Sequence, residues 1–143
     1  SRSQGKQTDV YFYHAPGSKQ GKRLADRMRN TLASKYKKHQ PGRGFNGTVS
    51  ERNLYVLRNT QPAGVYLELG NIRNSRDQQR LVLENNRQAL AKWIAEAIVA
   101  DYKGKKWEYG GLKYEDNWIK AIFAQIKNNN RLEFSFICKL NSP

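Results

Sequence analysis

Apolar and polar positions along the 143 residues alternate between two periods, and each period predicts its own kind of element. Asp9-Val-Tyr-Phe-Tyr13 is rich in β-branched and aromatic residues and predicts a strand. Pro16-Gly17 turns the chain, and Ser18 is placed to cap a helix. Leu24, Met28, Leu32 and Tyr36 then recur every four residues, an apolar stripe that predicts a helix over 18–36. Its other face carries Lys22, Arg23, Arg27 and Arg29. Pro41, Gly42, Gly44 and Gly47 predict a loop over 35–48. Tyr55-Val-Leu57 reads as a short second strand. Residues 63–69 are apolar at nearly every position, as in a strand buried on both faces of a parallel sheet. Gly70 ends that strand. Asn74-Ser75 can cap a helix over 75–102, with Asp77 favoured by the dipole of its first turn. Leu90, Trp93, Ile94, Ala97 and Ile98 keep the spacing of an amphipathic helix face, and Gly104 is a natural stop.

Strands alternating with helices mean an α/β domain. Two or three strands leave a buried strand short of partners, so the pattern looks like part of a domain. After residue 104 the character changes. A short helix is predicted over 118–126 and a strand over 132–138, with Asn128-Asn-Asn130 between them. The expected division is 1–104 as the α/β unit and 105–143 as an extension.

Composition narrows the chemistry. The single cysteine, Cys138, excludes an internal disulfide and a multi-cysteine metal site. Histidine occurs twice, at His14 and His39. No apolar run reaches the ~18–20 residues of a membrane span. Residues 1–9 are polar, with no apolar segment of the signal-peptide kind. The formal net charge is +14, and residues 1–60 hold 13 Lys/Arg against three acids, a net of +10. Such a field attracts polyanions: nucleic acid, anionic headgroups, or charged envelope polymers.

Glu68 is the position with chemical content. It is a carboxylate between Leu67 and Leu69, near the carboxyl end of an apolar strand, where open α/β sheets collect their active sites. Burial of an unpartnered carboxylate favours its neutral form, which suits a general acid/base. The plain alternative is a strand-end Glu turned to solvent or paired with an arginine.

The segments around Glu68 carry a resemblance. Leu54-Tyr-Val-Leu-Arg58, then Pro62, then Leu67-Glu-Leu-Gly-Asn-Ile-Arg-Asn74 and Asp77 resemble the C-terminal motif of zinc-dependent N-acetylmuramoyl-L-alanine amidases. The likeness runs back through Val10-Tyr-Phe-Tyr13 and forward to about Tyr102. It implies a mostly parallel sheet flanked by helices, of the phosphorylase/hydrolase-like kind, of which this chain holds the C-terminal half. It implies cleavage of the peptidoglycan amide between N-acetylmuramic acid and L-Ala, in the periplasm or outside the cell. Glu68 would be the proton shuttle. Arg58 would brace Glu68 or bind substrate, Arg43 would lie in a loop near the cleft, and Asn71 and Asn74 would shape the loop after Glu68.

The same resemblance implies a zinc ion held by two His and one Glu. The family's Gly-His-Gly and Ser-Ile-His-Ala-Asn segments are not in this sequence. His14, in Tyr13-His-Ala-Pro16, echoes the second of them, but the strand–helix unit that follows fits the next part of the family pattern. His14 is therefore assigned to a turn, His39 to a loop, and no metal ligand is expected in the chain. Two other readings remain: a metal-free module that grips peptidoglycan or anionic polymer through its basic face, and a nucleic-acid binder using Tyr11, Phe12 and Tyr13 as stacking platforms. Gly-His-Gly and Ser-Ile-His-like segments in an upstream stretch of the gene would select the enzyme.

Overall fold

The computed structural model of the chain describes residues 8–59, 63–71, 73–103 and 133–137. In chain order the elements are β1 (Thr8–His14), α1 (Lys19–His39), β2 (Phe45–Glu51), α2 (Tyr55–Arg58), β3 (Gly64–Glu68), α3 (Ser75–Val82), α4 (Glu84–Lys103) and β4 (Glu133–Ile137). The strands form one sheet in the order β2-β1-β3-β4.

The α/β class and the flanking helices agree with the sequence pattern, and the strand directions add detail. β1 runs parallel to β2, while β3 is antiparallel to both β1 and β4, so the sheet is mixed. Phe45–Glu51, expected within a loop and its flank, is the strand that pairs with β1 along its whole length. Tyr55–Arg58, expected as a strand, is one turn of helix instead. Local β propensity at Tyr55-Val-Leu57 yields because the sheet place beside β1 is already filled by β2. β4 lies in the segment read as an extension, and it completes the pairing of β3. The helix expected over 118–126 lies outside the described residues, as does Gly104.

β1 alternates strictly: Thr8, Val10, Phe12 and His14 are buried, and the residues between them are half-buried. That period of two marks one face against the helices. Val10 and Phe12 join Leu24, Ala25, Met28, Leu32 and Tyr36 of α1, Val65 and Leu67 of β3, and Leu90, Ile94, Ala97 and Ile98 of α4 in one core. The apolar stripes expected for the first and last helices are thus the ones buried. Trp93 is partly buried against this core.

Helix ends follow the expected chemistry. The Ser18 hydroxyl accepts the Gly21 N–H at 3.0 Å, and Lys37 and Lys38 place cations at the other end. α1 runs three residues further than the apolar stripe alone indicates, so His39 belongs to its last turn rather than to a loop. Gly21 has a separate reason to be glycine. A Cβ there would stand 2.8 Å from the Ser18 Oγ, 3.2 Å from the His14 Cβ and 3.3 Å from the Gly64 carbonyl oxygen. The first turn of α1 therefore lies directly on the ends of β1 and β3. The helix expected over 75–102 is two helices, broken at Leu83, which takes an extended conformation. Arg87 bridges the break, its Nη1 donating to the carbonyls of Leu81 and Val82 at 2.8 Å each.

Three long-range ion pairs tie α1 to α4. Arg23 Nε meets Asp101 at 3.1 Å and Arg27 Nε meets it at 3.4 Å, while Lys35 reaches Glu96 at 2.7 Å. Part of the basic face of α1 is thus neutralised within the domain.

Tyr36 is the largest fully buried side chain of the core. Its ring stacks on Phe45 (5.1 Å) and meets the edge of Trp93 (5.4 Å), yet its hydroxyl has no hydrogen-bond partner among the described residues. Burial pushes the phenol from its ordinary 10.0 to about 12, with the Arg80 guanidinium pulling the other way. The folded state therefore holds this proton more tightly than the unfolded chain does. The resulting contribution is constant below pH 10 and is lost as pH rises through about 12. Tyr36→Phe should be neutral or stabilising at pH 7, because the hydroxyl gains no partner on folding. It should also remove ~2 kcal/mol of the alkaline loss by pH 12. Urea unfolding of both proteins at pH 8, 10.5 and 11.5 checks this, and parallel pH curves would contradict it.

Candidate functional site

The register places Tyr11 opposite Glu68 and Tyr13 opposite Tyr66. These four side chains share the face of the sheet turned away from α1, because Phe12 and Leu67, the intervening pair, enter the core. Tyr11 and Tyr13 stack at 5.8 Å, and Tyr13 lies 6.4 Å from Tyr66. The result is an aromatic shelf with a carboxylate at one end.

Glu68 is the last residue of β3 and its side chain is 17 % exposed. Arg52, in the segment after β2, sets its Nη1 3.5 Å from Glu68 Oε1 and its guanidinium 4.9 Å over the Tyr13 ring. Glu68 thus stands beside a cation, as the plain alternative of a strand-end Glu paired with an arginine has it. The Arg52 side chain is 49 % exposed, and an ion pair of this length and exposure is worth ~0–1 kcal/mol. A ligand can separate it at little cost.

The turn after Glu68 is held far more firmly. Asp77, 1 % exposed, accepts the Asn71 backbone N–H through Oδ2 at 2.9 Å and the Arg43 guanidinium through Oδ1 at 2.6 Å. Asn71 Oδ1 accepts the Arg73 N–H at 3.0 Å, closing a tight local turn. Asn74 caps α3 by accepting the Arg76 and Asp77 N–H groups, and Arg43 Nη2 reaches the same oxygen at 3.4 Å. Gly70 passes directly over this carboxylate, and a Cβ on it would stand 3.2 Å from the Asp77 Cβ. The end of β3, the turn and the start of α3 are one hydrogen-bonded unit.

The candidate residues therefore separate by position. Asn71 and Asn74 shape the turn after Glu68. Arg43 is buried, with its guanidinium on Asp77 beneath that turn. Arg58 is exposed at the end of α2. The cation beside Glu68 is Arg52, which sequence reasoning passed over. Its signal was faint: it stands six residues before Arg58, and only the pairing of β2 with β1 carries it across to β3.

His14 is the last residue of β1 and 2 % exposed, with Nδ1 3.0 Å from the Ala15 carbonyl oxygen. It shares the core face with Phe12, the side opposite Glu68, so the two do not converge on one ion. His39 stacks on Trp93 at 5.6 Å. Among the described residues no group of three or more His, Cys, Asp or Glu is placed to hold a metal. A zinc site takes three protein donors and an open position. The described residues do not fit one.

Fold and site together define an α/β domain that presents an acid at the carboxyl end of an internal strand. The family model described as N-acetylmuramoyl-L-alanine amidase matches residues 2–100, and the chain belongs to that family. No individual curated protein and no solved structure matches it.

Two expectations follow from the geometry. Gly70→Ala should lower stability by ~1–3 kcal/mol, because its methyl group pushes on Asp77. Gly42→Ala, with nothing within 4 Å of its Cβ, should be neutral or stabilise by a few tenths of a kcal/mol. Equal melting temperatures for the two variants would show that the turn is not tightly packed. For the metal, the 143-residue protein dialysed against buffer should retain far less than one zinc per chain by elemental analysis. A full equivalent lost on His14→Ala would reverse the placement of His14.

Proposed function

We propose that the protein acts in hydrolysis of the peptidoglycan amide between N-acetylmuramic acid and L-Ala, with Glu68 as the general acid/base. The observation that carries this reading is a half-buried carboxylate at the end of an internal strand, followed by a turn locked to a buried ion pair. Family membership supplies the substrate class. The same membership supports action at the cell envelope, and no helix among the described residues is long and apolar enough to cross a membrane.

Amide hydrolysis needs a proton removed from water and one delivered to the departing amine. One carboxylate does both in sequence: it accepts the first proton on an oxygen and returns it to the nitrogen. The locked turn keeps that oxygen in place while the charge changes, so little reorganisation accompanies the transfer. Arg52, half-exposed, stands beside Glu68 and over the Tyr13 ring. Tyr11, Tyr13 and Tyr66 offer flat surface beside the acid for a sugar or peptide face. The zinc of the family supplies an activated water where its ligands are present. The described residues do not form that site, so the chemistry assigned to this chain is proton transfer and positioning alone.

That same mismatch favours a second reading, a module that binds peptidoglycan without cutting it. The two separate in a chimera that joins the zinc-ligand segments of an active family member ahead of residue 1. Under the first reading the chimera releases stem peptide from muropeptides, measured by mass spectrometry. Glu68→Gln then lowers its rate by at least ~10²-fold while leaving bound zinc unchanged. A chimera that cuts equally fast with Glu68→Gln would make the carboxylate structural. A chimera that holds zinc and binds sacculi but never cleaves supports the second reading.

A further inference from the structure

β2 stands at one end of the sheet, with β1 on its inner side and no strand among the described residues on its outer side. In a parallel pair each residue turns its N–H and C=O to one side, and the next residue turns them to the other. The Gly44 carbonyl accepts the Thr8 N–H at 3.3 Å, and the Arg52 N–H donates to the His14 carbonyl at 3.0 Å. Even-numbered residues therefore face β1. Phe45, Gly47, Val49 and Glu51 turn their N–H and C=O groups outward, along a strand that is paired with β1 over its whole length.

Such an edge is a template for another extended chain, and proteins that avoid one blunt it with lysine, proline or a bulge. Phe45–Glu51 holds neither lysine nor proline, and its unbroken register with β1 leaves no bulge. On the outward side, Arg29 Nε donates to the Gly47 carbonyl and the Ser50 hydroxyl to the Glu51 carbonyl, each at 3.3 Å. Both contacts are longer than ordinary hydrogen bonds of their kind, so an incoming N–H can displace them.

Charge decides what kind of chain fits. Gly47 leaves room for the stem of Arg29, since a Cβ there would stand 3.0 Å from Arg29 Cγ. The guanidinium is thereby held at the rim of the sheet. Its partners are the Gly47 carbonyl and, at 3.0 Å, the Asn30 side-chain oxygen, both neutral. A carboxylate would give this exposed guanidinium a shorter and stronger, charge-assisted bond. Lys22 lies about two turns earlier on the same flank of α1, but it already pairs with Asp26 at 2.7 Å. Glu51 closes the far end of the edge with an exposed acid of its own, so the incoming carboxylate belongs beside Gly47.

We propose that the outer edge of β2 takes an extended acidic peptide as an added strand, its main chain paired with Phe45–Glu51 and a carboxylate on Arg29. Main-chain bonds supply the affinity and the arginine supplies the selection. A second copy of this chain offers its own β2, but that pairing sets Arg29 near Arg29 and a net charge of +14 against the same. A polyphosphate answers the charge and has no N–H for the outward carbonyls. The proposal does not rest on the amidase reading, because β1 lies between β2 and the strand of Glu68.

The test is fluorescence anisotropy of dye-labelled heptapeptides, alternating threonine and valine around a central glutamate or lysine, titrated with the 143-residue protein. The glutamate peptide should bind about tenfold or more tightly than the lysine peptide, the scale of one charge-assisted hydrogen bond. Arg29→Glu, at an exposed position, should reverse that order. Val49→Pro removes one outward N–H and leaves the ladder to β1 intact, so it should weaken both peptides. The glutamate peptide N-methylated at every amide should not bind, which carries the test of strand addition even if Val49→Pro folds poorly. Glu68→Gln should change nothing. The proposal is overturned if neither peptide binds, if the two bind alike, or if Arg29→Glu leaves their order unchanged. Undiminished binding of the N-methylated peptide, or loss of binding on Glu68→Gln, would overturn it equally. So would a dimer in sedimentation that Val49→Pro separates, for the edge would then belong to a second copy.

Discussion

Asp77 holds the part of the molecule on which the site depends. Its carboxylate, 1 % exposed, takes the Arg43 guanidinium on one oxygen and the Asn71 N–H on the other. Isolated, either charge would be costly to bury, and a buried pair repays that cost only when its remaining hydrogen bonds are also made. Here they are largely made: Asn74 shares Arg43 and caps the helix that delivers Asp77. The loop before β2 is thereby fixed to the turn after β3 and to the first turn of α3 that continues it. Glu68 stands two residues before Gly70, which packs directly on this carboxylate. Its backbone is consequently set by a buried electrostatic contact, while its side chain pairs with the half-exposed Arg52.

The sheet adds the second constraint. Strict alternation along β1 sends Val10 and Phe12 into the core and turns Tyr11 and Tyr13 toward Glu68. A shift of one residue in the β1–β3 register would exchange the two sets, burying the carboxylate among the leucines. The tight approach of α1 to both strand ends at Gly21 opposes such a slip. One face of the sheet is therefore committed to packing, the other carries Tyr11, Tyr13, Tyr66 and Glu68, and His14 falls on the packing side.

Much of this was legible in the sequence. The four-residue repeat of Leu24, Met28, Leu32 and Tyr36 and the caps Ser18 and Asn74 mark helices by local physics, and local physics decided them. β1 and β3 were legible from their aromatic and β-branched content. β2 was not, because Phe45–Glu51 is half-exposed along its length and carries a glycine, so neither alternation nor hydrophobicity announces it. Its pairing with β1 also displaced Tyr55–Arg58 from the sheet into a helical turn. The strand directions belong to connections between elements, which no window of sequence contains. Glu68 stood out as a charge in an apolar run. Arg52 did not, because an arginine in a polar stretch has no local mark, and Arg43 gave no sign that its partner would be an aspartate 34 residues later.

The most direct measurement of this account is a double-mutant cycle between Arg43 and Asp77, read by urea unfolding. The account predicts that Asp77→Ala alone costs about 3–5 kcal/mol, since it strands a buried guanidinium. In the Arg43→Met background the same substitution should cost at least ~2 kcal/mol less, the coupling of two residues that act as a unit. Strictly additive losses would contradict it: the buried pair would then not be what holds the turn behind Glu68.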